Sequence, residues 1–359
     1  MAWANGYDRR CTITIDETQC GTVNSTNFSM HWAGTVDIET EANGGFSKSN
    51  GDDIIFTLDA DAAVPTLLSW ELESTYNASD GPLNKYWAQI PTVDTAANTV
   101  LYCFVGKTGQ TFQGGAEGAA WNADFLSVYH FGTAATLATT DSSGNNVDVV
   151  TNTGVVAGTG IIGGGASSGT GDSLDLGVVA AHNFTGTACY TITAWFNTTA
   201  IATTQGLVCK FNGGVAGQWA FQLLTSSVRF VRNVTPFSGE AATDLSSNTW
   251  YYGAYRYDGT NVILRYNTTQ DYGPTAFGSV GTNSTRTLLG SLETSSAPVS
   301  PFLGVFDEVH IVNAALSDSW LTAEYNNQKA SSTFYSNSAF DEAAAGGAAS
   351  SRMMMMGMG

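Results

Sequence analysis

The stretch that most constrains this chain is 304–317. Val305, Val309 and Ile311 alternate with polar positions over a short run, which is the period of a half-buried strand. Directly after it, Asn313-Ala314-Ala315-Leu316 leads into Ser319–Tyr325, a short helix-forming piece that Ser317 or Asp318 can cap. Gly, Ser, Thr and Asn are abundant and only 12% of residues are charged, so long helices, which draw on Glu, Lys, Arg and Leu, are not expected. The predicted class is all-β. Asp307 and Glu308 sit side by side in the strand, and strict alternation sends their side chains to opposite faces.

Strand signals separated by turn residues recur from the start of the chain: Tyr7–Ile15, Gly51–Thr57, Leu67–Glu73, Lys85–Pro91 and Asn98–Gly106. This series resembles DUF2341, a small β-domain of unknown function found beside laminin-G-like modules in surface proteins. The resemblance rests on Tyr7 with Arg9-Arg10, the Gly51-Asp52-Asp53-Ile54 turn, Leu68-Ser69-Trp70-Glu71-Leu72-Glu73 and the closing Leu101-Tyr102-Cys103-Phe104-Val105-Gly106. It implies a small β-sandwich over residues 1–106 and no chemistry. A Gly-rich linker with little to bury is predicted at 107–120.

A second set of strands follows. Trp121–Phe131 opens it, Asp141-Ser142-Ser143-Gly144-Asn145-Asn146 is a turn-forming loop, and Asp172–Gly177, Tyr190–Phe196, Trp219–Leu223, Val228–Val231 and Asn248–Thr260 continue it. Together with the closing stretch they resemble the laminin-G-like (concanavalin A-like) lectin/glucanase superfamily over residues 121–335, which implies a jelly-roll β-sandwich. The chain departs from that pattern in the Gly-rich passage Gly154–Gly171 and in Thr268–Gln270, where a tight Val-Asp-Gly turn is common. Residues 336–359 are Ala-, Gly- and Met-rich; such a composition cannot build a core, although Met side chains adapt well to a partner groove.

A net charge of −18, from 31 acidic against 13 basic residues, argues against a partner whose phosphates need neutralising, so no nucleic acid is expected. No apolar run long enough to span a bilayer occurs, and the first residues lack the apolar centre of an export signal. The five cysteines, Cys11, Cys20, Cys103, Cys189 and Cys209, have no metal-knuckle spacing. Cys11 with Cys20 and Cys189 with Cys209 could be hairpin neighbours; free thiols packed as small apolar groups are the alternative.

Hydrolysis of a glycosidic bond needs two carboxylates flanking it. Glu71 and Glu73 have the alternate spacing that puts two side chains on one face, but they fall in the N-terminal strands, and Asp307 and Glu308 are predicted to diverge. No catalytic dyad is expected. His31, His130, His182 and His310 are scattered, and strand histidines such as His130 and His310 are expected to serve as satisfied structural groups. The laminin-G-like resemblance implies Ca2+ as the candidate cofactor, with Asp141, Asn145 and Asp307 as oxygen donors; the competing role for Asp141 and Asn145 is side-chain-to-backbone turn bonding. It also implies sugar recognition by aromatic platforms at loop tips, for which Phe211, Trp219, Phe237 and Tyr272 are the candidates. Trp195 and Trp250 fall inside strands and are expected in the core.

The expected function is non-catalytic: a structural or adhesive component of a virion or extracellular surface, of which a phage decoration, fibre or tail-associated protein is the foremost case. Its expected partners are other copies, other assembly proteins and host glycans. A bacterial surface carbohydrate-binding protein and, behind it, a glycoside hydrolase are the alternatives.

Overall fold

The computed structural model describes residues 2–343 other than 74, 115–117, 213–218, 235–237 and 295–296. Its strands pair antiparallel in two stacked systems.

The N-terminal system holds a four-stranded sheet, ordered Tyr335–Asn337, Arg9–Ile15, Thr99–Val105, Ile55–Thr57, and a three-stranded one, ordered Ser25–Ala33, Lys85–Val93, Trp70–Leu72. Cys11, Ile13 and Ile15 alternate inward on one strand and Phe28, Met30 and Trp32 on another, and all six are buried. That period-two pattern turns one face of each sheet into core. The strand Ser25–Ala33 carries the same alternation and was not among the predicted strands.

The C-terminal system is a sandwich of a seven-stranded and an eight-stranded sheet. The closing strand, Gly304–Val312, is central to the larger sheet: it pairs with Gly164–Ser168 and Phe125–Tyr129 on one side and with Tyr190–Thr198 on the other. Phe306, Val309 and Ile311 point between the sheets and meet Phe196, Leu207, Phe221 and Leu289. Part of the Gly-rich passage is itself sheet, as Val156–Thr159 and Gly164–Ser168. The predicted helix is Asp318–Lys329, and Ser317 caps it, its hydroxyl accepting from Trp320 N at 3.0 Å.

The two systems share one core. Trp87 and Ile90 from the N-terminal sheets, Trp121 and Phe125 at the start of the sandwich, Trp195 and Tyr252 from its larger sheet, and Trp320 and Leu321 of the helix all belong to a single cluster of buried residues. Within the predicted linker, Phe112 packs on Trp70 with ring centroids 5.0 Å apart, and Ala120 is fully buried. The chain also returns to its beginning. Tyr335–Asn337 is an edge strand against Arg9–Ile15, Phe340 is buried, and Arg10 and Asp341 exchange backbone hydrogen bonds. The first residues of the predicted tail therefore lie on the N-terminal sheet; residues 344–359, with the Met cluster, lie outside the described residues. All five cysteines are free thiols, and the pairing that strand register creates is Cys11 opposite Cys103 rather than either hairpin pair. Among the described residues, no helix is long and apolar enough to cross a membrane.

Candidate functional site

Two polar places stand out against this apolar frame. The first is buried where the two systems meet, and the closing strand builds it. Register between Tyr190–Thr198 and Gly304–Val312 shifts between Thr193 and Trp195: Thr193 lies opposite His310 and Trp195 opposite Asp307. Glu308 and Val309 therefore face one residue, Ala194, which is a β-bulge, and Glu308 adopts a left-handed φ of 47°. Phe306 and Val309 remain in the sandwich core, so Asp307 and Glu308 between them both face outward, toward the N-terminal sheets. Sequence alternation predicted opposite faces; the bulge overturns that. Both carboxylates are completely buried.

Glu308 lies between two imidazoles. His130 Nδ1 is 3.0 Å from its Oε2 and 3.1 Å from Oε1, and His310 Nε2 is 3.5 Å from Oε2. Burial alone would raise the Glu308 pKa, but the two histidines outweigh it and bring it down to about 2. For His130, burial works to lower the pKa, yet Glu308, Glu71 and Glu73 hold it well above the ordinary imidazole range. His310 is likewise raised against its burial by Glu324, whose Oε1 is 2.7 Å from Nδ1, and by Glu308. Glu71, from the N-terminal strand Trp70–Leu72, accepts from Trp121 Nε1 at 2.7 Å and from Gly118 N at 2.9 Å, and its Oε1 lies 3.4 Å from His130 Nε2. Glu73 is half-buried, with Trp87 Nε1 at 3.4 Å; burial, with the Glu308 charge added, raises its pKa to about 8. Trp87 is the common wall: its ring centroid is 4.9 Å from that of His130, 5.3 Å from His31 and 5.2 Å from Trp121. Glu73, with Leu83, Lys85, Thr133 and Gly163, also lines a cleft of about 560 Å³ that opens between the two systems.

The second place is an open polar basin of about 580 Å³ on the sandwich, lined by Asn212, Asn283, Ser284, Thr285, Arg286 and Glu293. Arg286 is its fulcrum. Nη1 pairs with Asp175 Oδ2 at 2.6 Å, while Nη2 and Nε reach Glu293 Oε1 at 2.9 and 3.1 Å. The other Glu293 oxygen, Oε2, is buried and has no hydrogen-bond donor among the described residues. Lys210, buried behind the basin, donates to the Thr285 carbonyl at 2.5 Å and to the Val179 carbonyl at 3.3 Å.

The predicted site residues fall elsewhere or serve other ends. Trp219 is buried and donates its indole N–H to the His182 carbonyl at 3.0 Å, so it is core and not a platform. Tyr272 is half-buried on Phe230, and Phe211 is half-buried against a small cluster with Cys209 and Leu292. Phe237 lies outside the described residues. The residues proposed as calcium donors are engaged in backbone bonding. Both Asp141 oxygens are occupied, Oδ1 by Val128 N and Ser143 N and Oδ2 by Ser143 Oγ and Val147 N. Asn145 Nδ2 donates to the Phe125 carbonyl at 2.8 Å. Asp307 accepts from Ile161 N and Ile162 N on Oδ2 and from Glu308 N on Oδ1. These are loop-fixing bonds, the competing role weighed for Asp141 and Asn145. Among the described residues, the acidic and imidazole side chains close enough to share a metal are instead Glu73, His130 and Glu308.

Residues 168–322 match the protein-family model described as the concanavalin A-like lectin/glucanases superfamily. The sandwich is a concanavalin A-like jelly roll. A comparison with the curated proteins finds no match. Among solved structures, domain 4 of AbnA, a GH43 extracellular arabinanase from Geobacillus stearothermophilus in complex with arabinotriose, aligns over 55% of this chain and 97% of its own at 18% identity, with a TM-score of 0.44. The binding domain of Paraclostridial Mosquitocidal Protein 1 aligns over 56% of this chain and 52% of its own at 15% identity, with a TM-score of 0.46. The CBM40 of Ruminococcus gnavus IT-sialidase, bound to α2,3 sialyllactose, aligns over 49% of this chain and 99% of its own at 17% identity, with a TM-score of 0.38. All three are distant likenesses.

Proposed function

We propose that the protein is a non-catalytic component of a surface assembly and that its jelly roll holds a glycan in the polar basin. The observation that carries this reading is Glu293, a lining residue whose Oε2 is buried with no donor among the described residues, in a basin otherwise walled by amides, hydroxyls and a guanidinium. A buried acceptor left unpaired costs about 1–3 kcal/mol, and a sugar hydroxyl is a donor of the right size to satisfy it. Asn212, Asn283 and Ser284 offer both donors and acceptors for the neighbouring hydroxyls. The family match over the sandwich, to lectins and glucanases, supports the same class of ligand.

The basin has little to support hydrolysis. Among its described lining residues Glu293 is the one carboxylate, and hydrolysis of a glycosidic bond takes two. Within the surface-assembly reading, a phage virion component assembled from other copies and other particle proteins is favoured over an exported bacterial lectin. Four of the five free thiols are buried, and thiols of that kind suit folding in a reducing compartment. A glycan array probed with the intact protein, run beside a reducing-sugar assay, tests the reading. Saturable binding to a subset of glycans without sugar release is expected; absence of any binding, or release of reducing ends, overturns it.

A further inference from the structure

We infer that the joint between the two systems is a binding site for one divalent transition-metal ion, with Glu73, His130 and Glu308 as its ligands. One donor atom from each lies within 4.8 Å of the other two, giving two carboxylate oxygens and one imidazole nitrogen. That donor set suits Zn2+ or Mn2+. Ligand atoms about 2.0–2.2 Å from a zinc ion stand closer together than this, so the group must contract a little on binding. Glu73 can supply that movement, because it is half-buried and, among the described residues, its carboxylate has one hydrogen bond, the long contact to Trp87 Nε1 at 3.4 Å.

The surroundings are arranged as those of a metal site are. His130 turns Nδ1 toward Glu308 and Nε2 toward Glu71, and Glu71 is itself held by Trp121 Nε1 and Gly118 N. A carboxylate behind the far nitrogen fixes the tautomer and leaves the near nitrogen to the ion. Glu308 is set in place by a left-handed backbone that costs a non-glycine residue roughly 1–2 kcal/mol, a strain of the kind that persists at functional positions. A second observation is independent of this group. His31 packs on the same Trp87 indole, and both of its ring nitrogens are buried without a hydrogen-bond partner among the described residues. Buried imidazoles are ordinarily satisfied, and an ion or its bound water beside Trp87 supplies what His31 lacks. The cleft lined by Glu73 gives the ion a way in, and a water from that side completes its coordination.

The test uses the full chain, stripped with chelator and dialysed, then titrated calorimetrically with Zn2+ and with Mn2+ while the melting temperature is followed. The expected result is one ion per chain, Zn2+ bound more tightly than Mn2+, and a melting temperature that rises with metal. Glu73→Gln should weaken binding by at least ~10-fold, the lower end of what even an outer-shell change costs. Glu71→Gln, behind His130, should weaken it by less than Glu73→Gln. Glu308→Gln is the stronger test of ligation if it folds; Glu73→Gln keeps the inference open to refutation if it does not. No saturable uptake of either ion, or uptake unchanged in Glu73→Gln, overturns the inference.

Discussion

His130 and Glu308 meet at 3.0 Å across the boundary of two neighbouring strands, each completely or almost completely buried, with the N-terminal carboxylate of Glu71 on the far side of the imidazole. Through Glu71 the contact extends from the bulge of the closing strand to the N-terminal sheets. A buried ion pair of this kind adds little over an apolar pair but is costly to break, because the survivor stays buried and uncompensated. Glu308→Ala, measured by denaturant unfolding in the presence of chelator, should destabilise the protein by about 3–5 kcal/mol. A loss below about 1 kcal/mol would place the pair among those that contribute nothing measurable.

The shared core predicts cooperative unfolding. Trp87, Trp121, Trp195 and Trp320 come from both systems yet lie in one cluster. Calorimetry of the intact chain should show one transition, and Trp87→Ala should lower it as a whole, at a cost of about 3–5 kcal/mol. A fragment starting at residue 121 exposes Trp121, Phe125, Trp195 and Trp320, and is expected to bind hydrophobic dyes or aggregate. Two separate transitions in the intact chain would show that the systems are independent.

Much of this arrangement was legible in the sequence. Val305, Val309 and Ile311 announced the closing strand, and Ser317 the helix after it, because period and caps are local properties. The bulge was not legible. It needs a left-handed residue, glycine is the usual signal, and here the position is Glu308, so simple alternation sent Asp307 and Glu308 to opposite faces. The joint cluster was invisible for another reason. Glu71, His130, Glu308 and Glu324 are brought together by tertiary packing, and no spacing between them carries a pattern. Taken singly, His130 and His310 carry no signal beyond that of strand histidines. His31 could have been suspected: it sits among Phe28, Met30 and Trp32, whose alternation marks a strand. The basin had no linear signal, since Arg286 and Asp175 are far apart in the chain.

Acid should weaken the sandwich through His182. Its ring lies between Ser127 Oγ and Thr287 Oγ1, both at 3.1 Å; burial, with Lys210 nearby, lowers its pKa to about 3. Unfolded, it titrates near 6.5, so between about 6.5 and about 3 the unfolded chain holds a proton that the folded chain refuses. Stability contributed at this position is therefore complete above about pH 6.5 and falls by roughly 1.4 kcal/mol per pH unit below it. His31, also lowered to about 3 by burial, acts in the same direction. His182→Gln should shrink the loss measured between about pH 7 and about pH 4 without abolishing it. An unchanged slope would refute the assignment.

Gly160 permits the turn that grips Asp307. A methyl group there would stand 2.0 Å from the Gly164 carbonyl oxygen and 2.3 Å from Asp307 Oδ2. Gly160→Ala should push Ile161 N and Ile162 N off that carboxylate and destabilise the fold by about 1–3 kcal/mol, as overpacking does. Thermal melting checks this, and an unshifted melting temperature would show that the turn yields freely.

The basin is where the proposed function is most directly tested. Once an array identifies a glycan, its affinity should be measured by titration against the wild type, Glu293→Gln and Asn283→Ala, with circular dichroism confirming the fold of each. Losing a hydrogen bond to a charged group is worth about 1.5–3 kcal/mol, so Glu293→Gln should weaken binding by about 10- to 100-fold, and Asn283→Ala by less. Folded variants that bind the same glycan as tightly as the wild type would contradict the placement of the ligand in this basin.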